Sequence, residues 1–324
     1  MRRPTIRQLL TLLGPFLGLA FVIAVFSTKP EVRAVFLTGG NFKIIFTQTV
    51  IVALGALGMT LIIVSGGIDL SVGSIVALTS VVGAKLLSLP QPWGTPAVIA
   101  ATVLAGGVVG AINGSLIAGF RMMPFIVTLG MMGVARGAAK WLGENQTVNY
   151  DEKATVNNIM ALDEPYQFFP LPTGVWITII LAVAMTIVLR QTVFGRYVFA
   201  IGSNEATARL CGIRVRMQKV IIYALAGLLF GVAGLMQLSR LTQGDPTVAV
   251  GLELDIIAAV VIGGASLSGG TGSILGSMIG AVIMAVLRNG SNQMGWPTYM
   301  QEIIIGIVIV LAVALDKFRQ SKPG

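Results

Sequence analysis

Apolar runs recur along the whole chain, separated by short polar stretches. A helix needs about 20 apolar residues to cross hydrocarbon. Runs at about 9–26, 44–64, 70–87, 96–118, 125–142, 173–190, 219–240, 254–265, 273–288 and 302–316 predict ten such helices. The run at 254–265 is short for a clean span and predicts a re-entrant or broken helix. Such backbone survives at depth only where protein or water shields it. The expected fold is an all-α polytopic membrane protein, with residues 1–324 forming a single transmembrane domain.

The pattern repeats. A shift of 176 residues lays 43–64 on 219–240 and Asn113-Gly114-Ser115 on Asn289-Gly290-Ser291. It also lays Gly119-Phe120 on Gly295-Trp296 and Gly130 on Gly306. The second to fifth predicted spans thus match the seventh to tenth. The units start an odd number of spans apart, which predicts an inverted repeat, the arrangement of transporters with a pathway at the repeat interface. Two glycine ladders at spacing four, Gly106-Gly110-Gly114 and Gly272-Gly276-Gly280, predict close helix packing. The ladders themselves do not coincide under the shift.

Charge orients this picture. Only 11% of residues are charged, against about 25% in a soluble domain. The stretch 190–219 carries six Lys/Arg against Glu205 alone. Arg2, Arg3 and Arg7, Arg121, and Lys317, Arg319 and Lys322 fall on the same side of a ten-span layout. The segment 143–172 is acidic, with Glu144, Asp151, Glu152, Asp163 and Glu164 against Lys153. The positive-inside rule then places both termini and 190–219 in the cytoplasm and 143–172 outside. Lys29, Arg33 and Lys43 fit this layout poorly. The basic, apolar start has no convincing cleavage site and is expected to remain as the first span.

Whole classes of chemistry drop out. The chain has no histidine and one cysteine, Cys211, so histidine-ligated metals, Ser–His or Cys–His catalysis and intrachain disulfides are excluded. No Walker A pattern occurs, so ATP is not expected on this chain in that mode. The net charge of +9 follows the apolar spans and carries no nucleic-acid signal.

Three polar motifs interrupt the spans. Ser65-Gly66-Gly67-Ile68-Asp69-Leu70-Ser71-Val72-Gly73-Ser74 allows a sharp turn, and Asp69 and Ser71 can cap the following helix or line a gate. Gly263 to Ser273 holds five glycines and predicts a flexible cytoplasmic turn, since it lacks the lysine of a phosphate loop. Asn204 to Ile213 predicts a short helix. Ser203 or Asn204 caps it, Glu205 and Arg209 pair at i,i+4, and Gly212 stops it. Asp69, Asp245, Glu253, Asp255 and Glu302 lie near membrane depth, mostly beside turns or span ends where capping or snorkelling accounts for them.

Gly66 to Ser74 resembles the GGIDLSVGS signature of ribose-type sugar permeases in bacterial ABC importers. Gly195-Arg196-Tyr197, Ile201 through Ala206 and Gly212-Ile213 resemble that family's cytoplasmic loop. Gly251 to Gly264 is similar to a third family motif. The resemblance covers about 40–317. It implies the vitamin B12-importer-like permease fold and a monosaccharide cargo such as ribose, xylose or galactose. It also implies a second permease copy or paralogue, a periplasmic sugar-binding protein and a cytoplasmic ATPase with two nucleotide-binding domains, which holds the ATP and magnesium. No cofactor is expected on this chain, which lies in the bacterial inner membrane. The family's coupling segment falls on 203–214, which makes Ser203, Asn204, Glu205, Ala206, Arg209, Gly212, Ile213 and Arg214 the coupling candidates. The longer 143–172 segment departs from the family pattern. On this reading no covalent chemistry occurs on the chain. Gln48, Asp69, Asn113, Thr128, Asn289 and Gln301 are the candidate pathway residues. A same-fold permease for a nucleoside or branched-chain amino acid, an ion-coupled secondary carrier and a membrane scaffold remain as alternatives.

Overall fold

The computed structural model describes residues 6–163, 167–168 and 170–320. Among these, thirteen α-helices run in the order α1 (Ile6–Phe26), α2 (Pro30–Phe36), α3 (Gly39–Val64), α4 (Val72–Leu87), α5 (Thr95–Phe120), α6 (Pro124–Leu142) and α7 (Thr173–Gln191), then α8 (Val193–Ser203), α9 (Glu205–Leu210), α10 (Val215–Leu241), α11 (Leu252–Ile262), α12 (Ile274–Gln293) and α13 (Thr298–Gln320). Five of them, α3, α5, α7, α10 and α12, are long and apolar enough to cross a membrane. Shorter apolar helices cover Leu13–Phe26, Val72–Leu87 and Thr298–Leu311. The predicted broken helix at 254–265 is the 11-residue α11.

Two helices were not legible as such. α2 lies in the stretch that holds Lys29 and Arg33, and Lys43 donates to the Leu162 carbonyl at 2.9 Å. That bond gives one of the ill-fitting cations a partner in the 143–172 segment. α8 occupies the first third of the basic stretch, capped by Thr192, whose hydroxyl accepts from the Gly195 amide. Among the N-terminal cations, Arg2 and Arg3 lie outside the described residues, as do Glu164 and Lys322.

The 176-residue register holds through the helices. Residues 39–64, α3, fall on 215–240, within α10. α5 falls over α12 and α6 over α13, and α4 overlaps α11. The packing exchanges with the register. α10 packs on α5 as α3 packs on α12, α10 on α4 as α3 on α11, and α4 on α6 as α11 on α13. The N-terminal half of α3 (Gln48, Ile51) shares a cavity with the C-terminal end of α10 (Gln237, Arg240). The C-terminal end of α3 (Ser65) shares another with the start of α10 (Val215, Lys219). The two helices are therefore antiparallel.

The core sits where α3 and α10 cross. Leu54, Leu57, Met59 and Leu61 on α3 and Tyr223 and Phe230 on α10 are fully buried. Glycine sets the α5–α10 distance. A Cβ on Gly110 would overlap the Tyr223 carbonyl, and one on Gly106 the Gly227 carbonyl. The first ladder is thus a packing seam, as expected of small-residue faces in lipid. The second is not wholly helical. Gly272 precedes α12, while Gly276 and Gly280 press on the backbone at Gly263 and Ala259 of the α11 unit.

The described residues of 143–172 hold defined contacts. Val148–Asn149 pairs antiparallel with Gln243–Gly244, and Gln167–Phe168 pairs with Leu171–Pro172. The Tyr150 hydroxyl donates to Asn157 Oδ1 at 2.5 Å, and the Ser239 hydroxyl bonds Asn157 and Met160 backbone. Burial pushes the Tyr150 phenol well above its ordinary pKa.

Candidate functional site

Two polar regions lie at opposite ends of the α3–α10 pair. The first is a cavity of about 410 Å³ lined by side chains of α3, α10, α11, α12 and α13. Its polar wall is formed by Gln48, Gln237, Arg240, Asp255, Arg288 and Gln301, with Asn292 and Thr298 beside them. Within it Arg288 donates to one oxygen of Asp255, from Nε at 3.0 Å and Nη2 at 2.5 Å. Asp255 is almost fully buried while Arg288 is partly exposed to the cavity. Gln301 Nε2 donates to Asn292 Oδ1 at 2.7 Å. Amides, a guanidinium and a carboxylate around one space are suited to a small solute rich in hydroxyls, whose O–H groups both donate and accept.

Of the six pathway candidates, Gln48 and Gln301 line this cavity. Asp69, Asn113 and Thr128 are brought together elsewhere, at the turn between α3 and α4. There Asp69 Oδ1 accepts from the Ser71 amide at 2.8 Å and from its hydroxyl at 2.5 Å. Asn113 Nδ2, from α5, donates to the Ser71 hydroxyl at 3.0 Å and to Asp69 Oδ2 at 3.4 Å. Thr128, from α6, donates to the Ile68 carbonyl at 3.3 Å. Asp69, Ser71 and Asn113 are all buried, so this group is a turn held in the packed interior. Ser71 stands at the N-cap of α4 without a side-chain capping bond, and Asp69 bonds Ser71 itself and not the first amides of the helix. Asn289 lies in a third place, accepting from Gln293 Nε2, which also donates to Asn41.

Sequence reasoning missed Gln237, Arg240, Asp255, Arg288, Asn292 and Thr298 as a set. The signal lay in polar residues at the ends of four separate spans, and nothing local says that those ends converge.

The second region is the far end of the pair. α9 is capped by Asn204, whose side chain accepts from the Thr207 amide at 2.9 Å. Glu205 in its first turn pairs with Arg209 at 2.9 Å and with Lys219 on α10 at 2.6 Å. Burial alone would raise the Glu205 pKa, but Lys219 and Arg209 outweigh it and hold the carboxyl below its ordinary value. Gly212 closes the helix at φ +83°, which favours glycine. Ala208, Ile201 and Val215 form a small buried cluster beneath, with Ile213 packed on it. Leu210 at the tip is 89% exposed, and Cys211 beside it is also exposed. Ser203, Asn204, Glu205 and Arg209 share a hollow of about 440 Å³ with Ser65, Arg121, Arg216 and Lys219. The glycine-rich turn after α11 reaches the same end, where the Gly270 amide donates to the Val64 carbonyl.

Among the described residues no group of three or more Asp, Glu, Cys or His is placed to hold a metal ion.

Comparison with known proteins follows the same lines. Residues 41–313 match the family model described as branched-chain amino acid transport system / permease component. The chain is 41% identical over 307 residues to the ribose import permease protein of Escherichia coli (strain K12), covering 94% of this chain and 93% of that one. It is 42% identical over 324 residues to the ribose import permease protein of Bacillus subtilis (strain 168), covering 95% and 94%. It is 36% identical over 314 residues to the L-arabinose ABC transporter permease protein of Azospirillum brasilense, covering 94% and 88%. No solved structure matches the chain significantly.

Proposed function

This chain belongs to the branched-chain amino acid transport system / permease component family, and on that premise we propose that it is the membrane permease subunit of an ATP-driven importer for a monosaccharide. A separate cytoplasmic ATPase with two nucleotide-binding domains hydrolyses ATP. A periplasmic binding protein delivers the sugar, and a second permease copy or paralogue completes the pathway. The subunit has ten spans in a vitamin B12-importer-like arrangement in the inner membrane. Both termini and 190–219 are cytoplasmic, and 143–172 is periplasmic.

The observation that carries this reading is the placement of the two polar regions. A cavity lined by Gln48, Asp255, Arg288 and Gln301 sits at one end of an inverted helix pair, and the capped α9 sits at the other. Inverted units with polar side chains at their interface are how transporters expose one site to two sides. The sugar passes the cavity wall through hydrogen bonds to amides and to the Arg288–Asp255 pair. α9, with Asn204, Glu205, Ala206, Arg209, Gly212, Ile213 and Arg214 around it, takes the push from the ATPase. Lys219 passes that push from Glu205 into α10. Uptake into vesicles holding the permease, the ATPase and the binding protein tests the proposal, and it requires ATP.

One observation favours a second cargo class. The Arg288–Asp255 pair is also complementary to a zwitterion, which suits a branched-chain amino acid. Competition of uptake by leucine against ribose, xylose and galactose separates the two.

A further inference from the structure

The polar lining of the cavity between α3, α10 and α12 is of two kinds. One part is already paired. Arg288 donates to Asp255, and Gln301 donates to Asn292. The other part is free. Gln48 of α3 and Gln237 and Arg240 of α10 line the same space. None of these three side chains makes a hydrogen bond or an ion pair among the described residues. Gln237 and Arg240 stand three positions apart and so share a face of α10.

The charge of the lining is also unbalanced. Arg240 and Arg288 stand against Asp255 alone. Asp255 is almost fully buried and accepts both bonds from Arg288 on one oxygen. Arg240, in the last turn of α10, remains as one uncompensated cation exposed along the cavity. The nearby acids are engaged elsewhere. Asp245 and Glu253 act on Arg136 of α6, and Glu302, next to Gln301, does not line the cavity. A charged side chain within a membrane bundle that faces a water-filled space marks the path of a substrate or ion.

Resting on the transport reading above, we propose that the cargo is a monosaccharide that carries a carboxylate, a uronic or aldonic acid, and that Arg240 selects it. The planar fork of a guanidinium matches the two oxygens of a carboxylate. Gln237 beside it and Gln48 on the facing helix take hydroxyls, since an amide both donates and accepts. One negative charge on the cargo balances the one uncompensated charge on the wall. A phosphorylated sugar brings about −1.5 to −2 and overshoots. A zwitterion needs a free carboxylate for its ammonium, and Asp255 is committed to Arg288. A neutral sugar leaves Arg240 without a counter-charge. The volume of about 410 Å³ falls within the range of roughly 300–1,000 Å³ usual for small-ligand sites.

Thiol protection in the permease–ATPase complex in nanodiscs tests this. The binding protein is omitted, so that only the permease chooses. Thr298→Cys reports the cavity that it lines. Labelling is read on its peptide by mass spectrometry, so Cys211 stays in place. The probes are galacturonate against galactose, glucuronate and gluconate against glucose, and leucine and acetate. At least one sugar acid protects at a concentration about tenfold lower than its neutral partner, the ratio given by one charge-assisted hydrogen bond. Arg240→Gln removes that preference, and Arg240→Lys, which keeps the charge, retains it. Unchanged labelling without cargo shows that the variants keep the cavity. If a variant fails to insert, the comparison of acids with neutral sugars on Thr298→Cys alone still decides. No acid protecting better than its neutral partner, a preference that survives Arg240→Gln, or stronger protection by leucine would overturn the assignment. Equal protection by acetate would show an adventitious anion only and overturn it as well. ATP-driven uptake of neutral sugars alone by the complete system would remove the acid cargo and leave the transport reading standing. No ATP-driven uptake of any probe would remove the transport reading first.

Discussion

Lys219 Nζ lies 2.6 Å from Glu205 Oε2, so the first turn of α9 is tied to the first turns of α10. The two groups lie fourteen positions apart in the chain, and the intervening Gly212 bend is what lets them meet. α10 in turn packs on α3, α4 and α5.

Reversing the charge at this joint uncouples it. Glu205→Arg sets a third cation against Arg209 and Lys219. Glu205 is partly exposed, and such pairs contribute about 0–1 kcal/mol to stability. Expression and membrane insertion are therefore expected to be nearly normal, while ATP-driven uptake is lost. Thermal unfolding in detergent and vesicle uptake, measured together, check both halves of this expectation.

The same carboxyl sets a pH window. Its folded pKa is depressed, so its stabilisation of the joint is complete above the unfolded value of 4.5 and is lost as pH falls through the folded value. Hydrogen exchange over residues 205–219 is expected to be flat above pH 4.5, after correction for intrinsic rates, and to accelerate as pH falls below it. In Glu205→Gln the acid-induced rise disappears.

Gly212→Trp probes the stop itself. The glycine stands at φ +83°, and a Cβ there would meet nothing within 4 Å. The substitution therefore costs about 1–2 kcal/mol of backbone strain without clashing in the core. Insertion survives, and the misplaced tip, where Leu210 stands exposed, no longer seats on the ATPase. Loss of copurification with the ATPase is the expected reading.

Gly110→Leu is predicted to act on the fold. Its side chain would enter the Tyr223 backbone on α10, and overpacking of this kind costs about 1–3 kcal/mol or more. A lower unfolding temperature in detergent, with reduced accumulation in the membrane, is expected. Gly130→Leu, where a Cβ meets nothing, leaves the unfolding temperature unchanged.

In the cavity, Arg288→Ala removes the partner of a buried carboxylate. Breaking a fully buried pair costs about 3–5 kcal/mol, and the partial exposure of Arg288 lowers that figure. The double variant Asp255→Asn with Arg288→Gln keeps the hydrogen bonding and removes both charges. It is expected to recover stability and to shift the preference among cargo sugars, read as a change in competition between ribose, xylose and galactose.

Much of this was legible along the chain because lipid imposes length and periodicity on every span. The register of 176, a turn at Asp69 and a capped short helix from Ser203 or Asn204 all follow from local composition. The convergence of Gln237, Asp255, Arg288 and Gln301 did not, since each is a lone polar residue near a helix end and only packing decides which ends meet. α8 escaped notice for a related reason. It is amphipathic, with Val198 and Ile201 buried and Arg196 exposed, and it sits inside a stretch whose charge dominates its composition.

The most direct measurement is uptake of radiolabelled monosaccharide by proteoliposomes that contain the permease and its ATPase, with the binding protein added outside and ATP enclosed. ATP-dependent accumulation that survives collapse of proton and sodium gradients, and that is lost in Glu205→Arg, is the predicted result. Accumulation driven by either gradient without ATP would contradict the account.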